Sequence, residues 1–308
     1  NAMNRLKKQE NRLTPEELQR RIHAAGYDRP LVVQYLDYLG GLLRGDLGTT
    51  LTDNQPVTTI LTRYGAATFE LAFLSLIVAL IVGIGLGRLA ARRRDHAADA
   101  GIRVFAILCY ATPVFFLGLM LKLVFAVWLN VLPPSGRSSF ASDMQFQRLV
   151  SPTGFYIIDA FQLGDMSVLV DVLRHAVLPA LALGLLTAGV FIRLVRTNVI
   201  STYTSGYVEA ARSRGVSEGR LLSKHAWRPA MIPIITVMGM QIALMLAGAV
   251  LTETTFEWKG LGFMLSQYLK QRDFVAVQGI VILIAIIVAV VNFIVDVISA
   301  LIDPRVRY

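Results

Sequence analysis

The chain has 308 residues, of which 55% are hydrophobic and 17% charged, and its formal net charge at pH 7 is +9. This composition is too apolar for an ordinary soluble domain, so it predicts an all-α integral membrane protein. The positive charge does not indicate nucleic-acid binding, because the Lys and Arg residues cluster beside apolar runs, where they orient membrane proteins. A single Cys109 excludes an internal disulfide, and the four His residues lack a spacing suited to a metal.

Residues 1–65 are polar overall and contain no apolar run long enough to cross a bilayer. Within them, residues 26–48 carry an apolar and aromatic face that is suited to lie flat at a membrane interface, made of Val32, Tyr35, Leu36 and Leu39. We therefore predict an extracytoplasmic N-terminal region over residues 1–65 and a transmembrane domain over residues 66–308.

Five runs are long and apolar enough to span the membrane, since a hydrocarbon core of about 30 Å needs roughly 20 helical residues. They are residues 66–87, 104–132, 176–195, 231–252 and 279–302. The loops 88–103 and 193–230 are the most basic, so the positive-inside rule places them and the C-terminus in the cytoplasm and residues 1–65 outside. Because nothing in residues 1–65 would carry them across, we predict a sixth helix upstream of residue 1.

Charged groups inside these runs are costly and need a partner or a route to water. Glu70 and Lys122 lie near the external ends of their spans, so both are predicted to reach the interface. Asp296 lies deeper, and we predict a structural ion pair with Arg193 or Arg196.

A translocation pathway needs polar or adaptable side chains at mid-span. Gln241, Met245 and Asn292 are the candidates for lining it. An interhelical hydrogen bond is the alternative interpretation for Gln241.

A polar, basic segment over residues 207–233 separates two of the apolar runs. It predicts two short helices with a hinge: residues 208–214 suit a helix, Gly215 suits a left-handed cap, and Ser217 can begin the second helix. Arg220, Lys224 and Arg228 recur every four residues and would share one helix face.

Small side chains at Ala210 and Ala211, beside Glu209, would let another protein approach the backbone closely. That pattern predicts a docking surface and not a reaction centre. The alternative is an ordinary basic helix on the cytoplasmic side of a membrane protein.

The order Glu209-Ala210-Ala211 with Gly215 resembles the opening of the EAA loop, by which permease subunits of ATP-binding-cassette (ABC) importers engage their ATPases. His225 departs from the usual apolar residue, and Lys259 replaces a common proline. The chain resembles the B-type permease subunit of the dipeptide/oligopeptide (peptide/nickel) transporter family. Further sequence motifs resemble those of this family: DRPLVVQYLDYL, RGDLG, LPPSG at residues 132–136, TGFY at 153–156, HAVLPAL at 175–181, ETTF at 253–256, GLG at 260–262 and DPRVRY at 303–308.

The resemblance implies a type I ABC importer permease fold of six helices, of which five lie in this chain. It implies a coupling loop over residues 196–230, with ATPase contacts at Tyr207, Glu209, Ala210, Ala211, Gly215 and Leu221. The implied partners are a second permease, two ATPase subunits of one or two kinds, an extracytoplasmic substrate-binding protein, membrane lipid and a peptide substrate. The implied location is the bacterial cytoplasmic membrane.

No phosphate loop of the form G-x-x-x-x-G-K-[ST] occurs in the chain. We therefore expect no catalysis and no bound cofactor here, with ATP and Mg²⁺ held by the partner ATPases. Nickel or glutathione uptake is the nearest alternative to peptide import. A secondary transporter is a remote alternative, since no paired helix breaks around a midplane site are visible. A membrane enzyme or receptor would need a constellation of catalytic groups.

Overall fold

Residues 30–302 are described by a computed structural model, in which twelve α-helices and two π-helical segments follow one another. Among these residues no strand forms, and an isolated bridge joins Thr49 to Pro56. The all-α prediction is confirmed. The α-helices are α1 (Leu31–Leu43), α2 (Val57–Arg92), α3 (Ala97–Ala111), α4 (Val114–Leu121), α5 (Phe140–Phe146), α6 (Tyr156–Leu163), α7 (Met166–Tyr203), α8 (Gly206–Ser213), α9 (Glu218–Arg220), α10 (Trp227–Phe256), α11 (Leu261–Gln271) and α12 (Phe274–Ile302), and the π-helical segments are Lys122–Trp128 and Leu221–Ala226.

Four helices are long and apolar enough to cross a membrane: α2, α7, the Pro229–Leu246 part of α10, and the Phe274–Val295 part of α12. They contain or overlap the predicted runs 66–87, 176–195, 231–252 and 279–302. At 1.5 Å per residue, the 36 residues of α2 and the 38 of α7 exceed the hydrocarbon thickness. Both helices therefore extend beyond the membrane, and α2 begins at Val57, before the predicted boundary at residue 66.

The fifth predicted span, 104–132, is broken. α3 and the helical stretch Val114–Trp128 meet at an angle of 109° across Thr112 and Pro113, so the predicted run is not one continuous helix. Thr112 has an extended backbone (φ −83°, ψ 127°), because the ring of Pro113 disfavours the helical region for the residue before it. Together the pair can form one broken span or a re-entrant segment.

The core forms where α7 packs in parallel along α2. Glycines permit the close approach: a Cβ at Gly83 would lie 2.5 Å from the Cβ of Phe191, and one at Gly87 would lie 2.7 Å from that of Val195. Small residues at a helix crossing give close van der Waals packing, which is the main attraction between helices in lipid. α7 is accordingly the most buried of the spanning helices.

We name the two ends of the bundle by their residues. The basic end carries Arg88 and the loop between α7 and α10; the far end carries Glu70 and the loops 129–165 and 257–273. By the positive-inside rule the basic end is predicted to be cytoplasmic.

A buried ion pair joins two distant segments at the far end. Arg137 donates to the Oε2 of Glu70 at 2.5 Å and to the carbonyl oxygen of Gly154 at 3.0 Å, and its guanidinium lies over the Tyr156 ring. The other Glu70 oxygen accepts from the backbone N–H of Ile157 at 2.8 Å. The prediction that Glu70 reaches the interface was therefore wrong.

A second buried carboxylate at the far end caps α11. Glu253, fully buried, accepts from the Thr68 hydroxyl at 2.7 Å and from the Phe263 N–H at 2.9 Å, while the Thr68 oxygen accepts from the Leu261 N–H at 2.8 Å. The Glu253 oxygen thus satisfies a backbone N–H in the first turn of α11, which has no acceptor within the helix. Gly260 is required here, because a Cβ would lie 2.5 Å from the Glu253 carboxylate.

The remaining predictions at the far end concern Lys122 and the N-terminal segment. Lys122 begins a π-helical segment, donates to the carbonyl oxygen of Thr255 at 2.9 Å, and is half-buried. In α1, Val32, Tyr35 and Leu36 are exposed on one face, as an interfacial helix requires. The earlier part of the region predicted over residues 1–65 lies outside the described residues.

Candidate functional site

The segment between α7 and α10 folds as the sequence predicts, into short helices with a hinge. We call residues 204–220 the Glu209 loop. α8 covers Gly206–Ser213, beginning two residues before the predicted 208, and α9 begins after Ser217. The loop therefore presents one short helix at the basic end, attached on one side to α7 and on the other to α10.

Gly215 ends α8 in a Schellman motif. Its φ is +80°, its N–H donates to the carbonyl oxygen of Arg212 at 2.9 Å, and the N–H of Val216 donates to that of Ala211 at 3.3 Å. These are the two bonds that close a helix C-terminus when the residue after the cap is left-handed. The predicted left-handed cap is confirmed, and it fixes the direction in which the chain leaves α8.

α8 has one buried face and one exposed face. Val208 is fully buried and anchors the helix. Glu209 and Ala210 are exposed, Tyr207 is half exposed, and Ala211 is half-buried. The exposed face is thus made of the residues predicted to dock a partner.

Leu221, also predicted to contact an ATPase, is fully buried at the start of the second π-helical segment. It can act on such a partner only by anchoring the loop.

A polar triad that the sequence did not reveal ties the loop to the bundle. Glu218 accepts a hydrogen bond from the Tyr203 hydroxyl, and the Nε of Arg212 donates to its Oε1 at 2.8 Å. Arg212 also lies over the Tyr203 ring, 5.0 Å from the centroid. The end of α7, the end of α8 and the start of α9 are therefore held together.

The hydrogen bond from Tyr203, followed by that from Arg212, lowers the pKa of Glu218 below its ordinary value. The carboxylate is therefore stabilised in its charged form. Arg212 and Glu218 lie six residues apart on either side of the predicted hinge, which is the one signal by which the sequence could have indicated this pair.

A cleft of about 620 Å³ lies beside the triad. Glu209, Arg212 and Glu218 line one side, and Arg92 and Arg94 belong to the other. The cleft is open, so it combines both signs of charge on a surface that another protein can reach. This arrangement suits recognition of a mixed-charge surface.

Beyond the loop, the chain does not stop before the next span. α9 continues through the π-helical segment Leu221–Ala226 directly into α10, and Pro233 lies inside that helix. The predicted shared face of Arg220, Lys224 and Arg228 stays a prediction, because the side chains of Lys224 and Arg228 lie outside those that the structure describes.

The three predicted pathway residues differ in burial. Met245 is buried among Leu71, Leu183 and Trp258 in the core, so the prediction that it lines a pathway was wrong. Gln241 and Asn292 are half-buried, and neither lines the cleft beside the triad. Their role stays a prediction.

The ion pair predicted for Asp296 is not visible, because this side chain lies outside those that the structure describes. Arg196, one of its two predicted partners, instead forms a bidentate pair with buried Asp99: Nε to Oδ1 at 2.6 Å and Nη2 to Oδ2 at 2.8 Å. Arg193, the other, is exposed. No local pattern indicates the Asp99 pair, since the two residues are 97 positions apart.

Residues 83–308 match the model of a protein family described as "Binding-protein-dependent transport system inner membrane component". The di/tripeptide transport system permease protein DppB of Pseudomonas aeruginosa is 37% identical over 299 residues, covering 97% of this chain and 88% of that protein. The dipeptide permease protein DppB of Escherichia coli K12 is 37% identical over 300 residues, with the same coverage of each chain.

Among solved structures, a chain of the inward-facing MetNI methionine ABC transporter superposes with a TM-score of 0.60 at 14% identity, covering 80% of this chain and 97% of that one. At this identity the likeness concerns the fold alone. It confirms the predicted ABC importer permease fold.

Proposed function

Since this chain belongs to the family of inner membrane components of binding-protein-dependent transport systems, we propose that it is a permease subunit of an ABC importer for di- and tripeptides. The observation that carries the substrate class is the 37% identity to di/tripeptide and dipeptide permeases over 97% of the chain. The chain itself performs no covalent chemistry. Its work is to form part of a path and to change shape when partners hydrolyse ATP with Mg²⁺.

The Glu209 loop is the element we propose for docking the ATPase. Its exposed face of Glu209 and Ala210 has little side-chain bulk beside a charge, and Val208 and Leu221 hold the opposite side in the bundle. The most basic loops surround it, which favours a cytoplasmic position for this end and for the C-terminus.

Movement of α8 would reach two spanning helices. The triad of Tyr203, Arg212 and Glu218 connects α8 to the end of α7, and the continuous helix through Leu221–Ala226 connects the loop to α10. An ATPase that binds the loop differently in its two nucleotide states would therefore bias the arrangement of α7 and α10. Because the Glu209 loop is connected to both α7 and α10, it is a rigid connection and not a flexible one.

The complete importer would contain a second permease, two ATPase subunits of one or two kinds, and an extracytoplasmic binding protein. The peptide would pass between the two permeases, with Gln241 and Asn292 as candidates for the lining. Nickel or glutathione uptake is distinguished by direct measurement: proteoliposomes with the binding protein should accumulate a labelled dipeptide, and uptake of nickel or glutathione without peptide uptake would overturn the substrate class.

The coupling proposal is tested with Glu209→Lys and Ala211→Glu, which place a reversed or bulky charge on the docking face. Both should abolish substrate-stimulated ATP hydrolysis and uptake in reconstituted complexes, while insertion and pairing with the second permease persist. Arg220→Ala, an exposed charge removed from the same loop, is the matched control and should retain most activity. Normal stimulated ATPase rates for both loop variants would contradict the coupling role.

A further inference from the structure

A second cleft, of about 190 Å³, lies between α3 and α7 and shares no lining residue with the cleft beside the triad. Its walls contain three arginines, Arg103, Arg193 and Arg196, and otherwise mainly apolar groups, including Ile107, Tyr110 and Val190. Neither the docking face nor the candidate pathway residues belong to it.

The positive charge in this cleft is only partly neutralised. Asp99 takes both hydrogen bonds of Arg196, and its distance to the Nε of Arg103 is 3.7 Å. The neighbouring Asp95 is paired with Arg94 at 3.2 Å. Within the part of the chain that the structure describes, Arg193 has no ion pair or hydrogen bond, so three guanidinium groups face one buried carboxylate.

Two fixed contacts between α3 and α7 set the separation of these helices and keep the cleft between them open. α3 meets α7 at Gly189, where a Cβ would lie 2.7 Å from the carbonyl oxygen of Ala106, and again at the Asp99–Arg196 pair. The seven residues from Asp99 to Ala106 are about two helical turns. The arginines therefore lie on a rigid frame and not on a loop.

Depth in the membrane follows from α2. Gly87 contacts Val195, so the neighbouring Arg88 lies at nearly the level of Arg196. The Arg88 guanidinium lies 5.0 Å from the centroid of the Trp227 ring, and Trp is characteristic of the membrane interface. The three arginines thus lie at headgroup level, while Ile107, Tyr110 and Val190 extend toward the hydrocarbon.

We propose that this cleft binds the phosphate of an anionic phospholipid, with Arg103 and Arg193 as its ligands. Arg196 adds positive charge to the wall of the cleft, and an acyl chain packs against the apolar side. Basic pockets between helices at a membrane surface are suited to such headgroups. The bidentate arginine geometry matches phosphate oxygens better than an ammonium would. The apolar wall favours a lipid over free phosphate.

The test uses the importer complex purified with its partner subunits in detergent, titrated with fluorescent phosphatidylglycerol and, separately, phosphatidylcholine. We expect saturable binding of phosphatidylglycerol alone. Arg193→Gln and Arg103→Gln should each weaken it about fivefold, the effect of about 1 kcal/mol per basic residue near the surface. Arg93→Gln, an exposed arginine that lines neither cleft, is the matched control and should bind normally.

Three results would overturn the proposal. Equal affinities for all variants would remove the arginines from the site. Full displacement of the lipid by millimolar inorganic phosphate would identify a free anion as the ligand. Binding to the isolated chain but not to the complex would mean that a partner subunit covers the cleft. Thermal melting of each variant complex at the wild-type temperature confirms that a loss of binding is not a loss of folding, and Arg193→Lys should keep part of the affinity.

Discussion

Two charged clusters at opposite ends of the molecule each join separate segments of the chain, but in different surroundings. At the far end, Arg137 and Glu70 join segments 67 residues apart, with side chains only 8% and 4% exposed. At the basic end, Arg212 and Glu218 join neighbouring helices of the Glu209 loop, with side chains 38% and 60% exposed. The first pair is sealed inside the protein, and the second is shared with water.

This difference determines what each cluster contributes. A buried pair is strongly destabilising when one partner is removed, because the other charge is left without water or a counter-ion. An exposed pair contributes little to stability, since water solvates both charges well. The far end is therefore built to stay in one arrangement, whereas the loop can rearrange its contacts when another protein binds.

The largest expected effect is at the far end. Arg137→Ala or Glu70→Ala should lower the free energy of unfolding by about 3–5 kcal/mol, because each leaves a buried charge unpaired. The measurement is unfolding of the detergent-purified protein. The double variant Glu70→Gln with Arg137→Met is the control and should recover a large part of the loss; a loss equal to the sum of the single changes would show that burial of the pair is not the cause.

A smaller effect is expected at the hinge of the loop. Gly215→Ala should cost about 1–2 kcal/mol locally, because a residue with a Cβ is strained at positive φ. Gly219→Ala, in the same loop without a positive φ or any atom near the added Cβ, is the matched control. Stimulated ATP hydrolysis should fall for the first and not for the second. Equal rates in both variants would show that the left-handed cap is not needed for coupling.

The smallest effect concerns the triad and depends on pH. Since the pKa of Glu218 is lowered in the folded protein, its contribution is fully present above the ordinary glutamate pKa and is lost as pH falls through the lower folded value. Hydrogen exchange of α8 amides, corrected for intrinsic rates, should show less protection at acid pH in the wild type. In Glu218→Gln the protection should be lower at neutral pH and should not change further on acidification. An unchanged wild-type profile would contradict the triad as the fastening of α8.

Hydropathy and turn chemistry predicted much of this molecule because both are local. Four continuous spans and the left-handed Gly215 cap follow from runs and single residues. The break at Thr112 was missed although Pro113 signals it, because averaged hydropathy over residues 104–132 does not register one proline. That signal was available in the sequence.

Partners across long sequence distances left no such trace. Nothing local connects Glu70 to Arg137, or Asp99 to Arg196. The sequence around Met245 does not distinguish a core position from a pathway position, since both accept a flexible apolar side chain. The predicted docking residues at Tyr207, Glu209, Ala210 and Ala211 came from a family resemblance, and exposure of α8 leaves that role as a prediction.

The Glu253 cap also bears on how the chain is made. Its partner Thr68 is 185 residues earlier, and the Trp258 indole that donates to the Ala67 carbonyl oxygen is 191 residues away. During synthesis these polar groups of α2 therefore cannot make their contacts until residues 253–258 have been translated. The far end closes late, as expected for contacts with large loop-closure cost. A chain cut short before residue 253 would lack the groups that Thr68 and Ala67 bond at this end of the bundle.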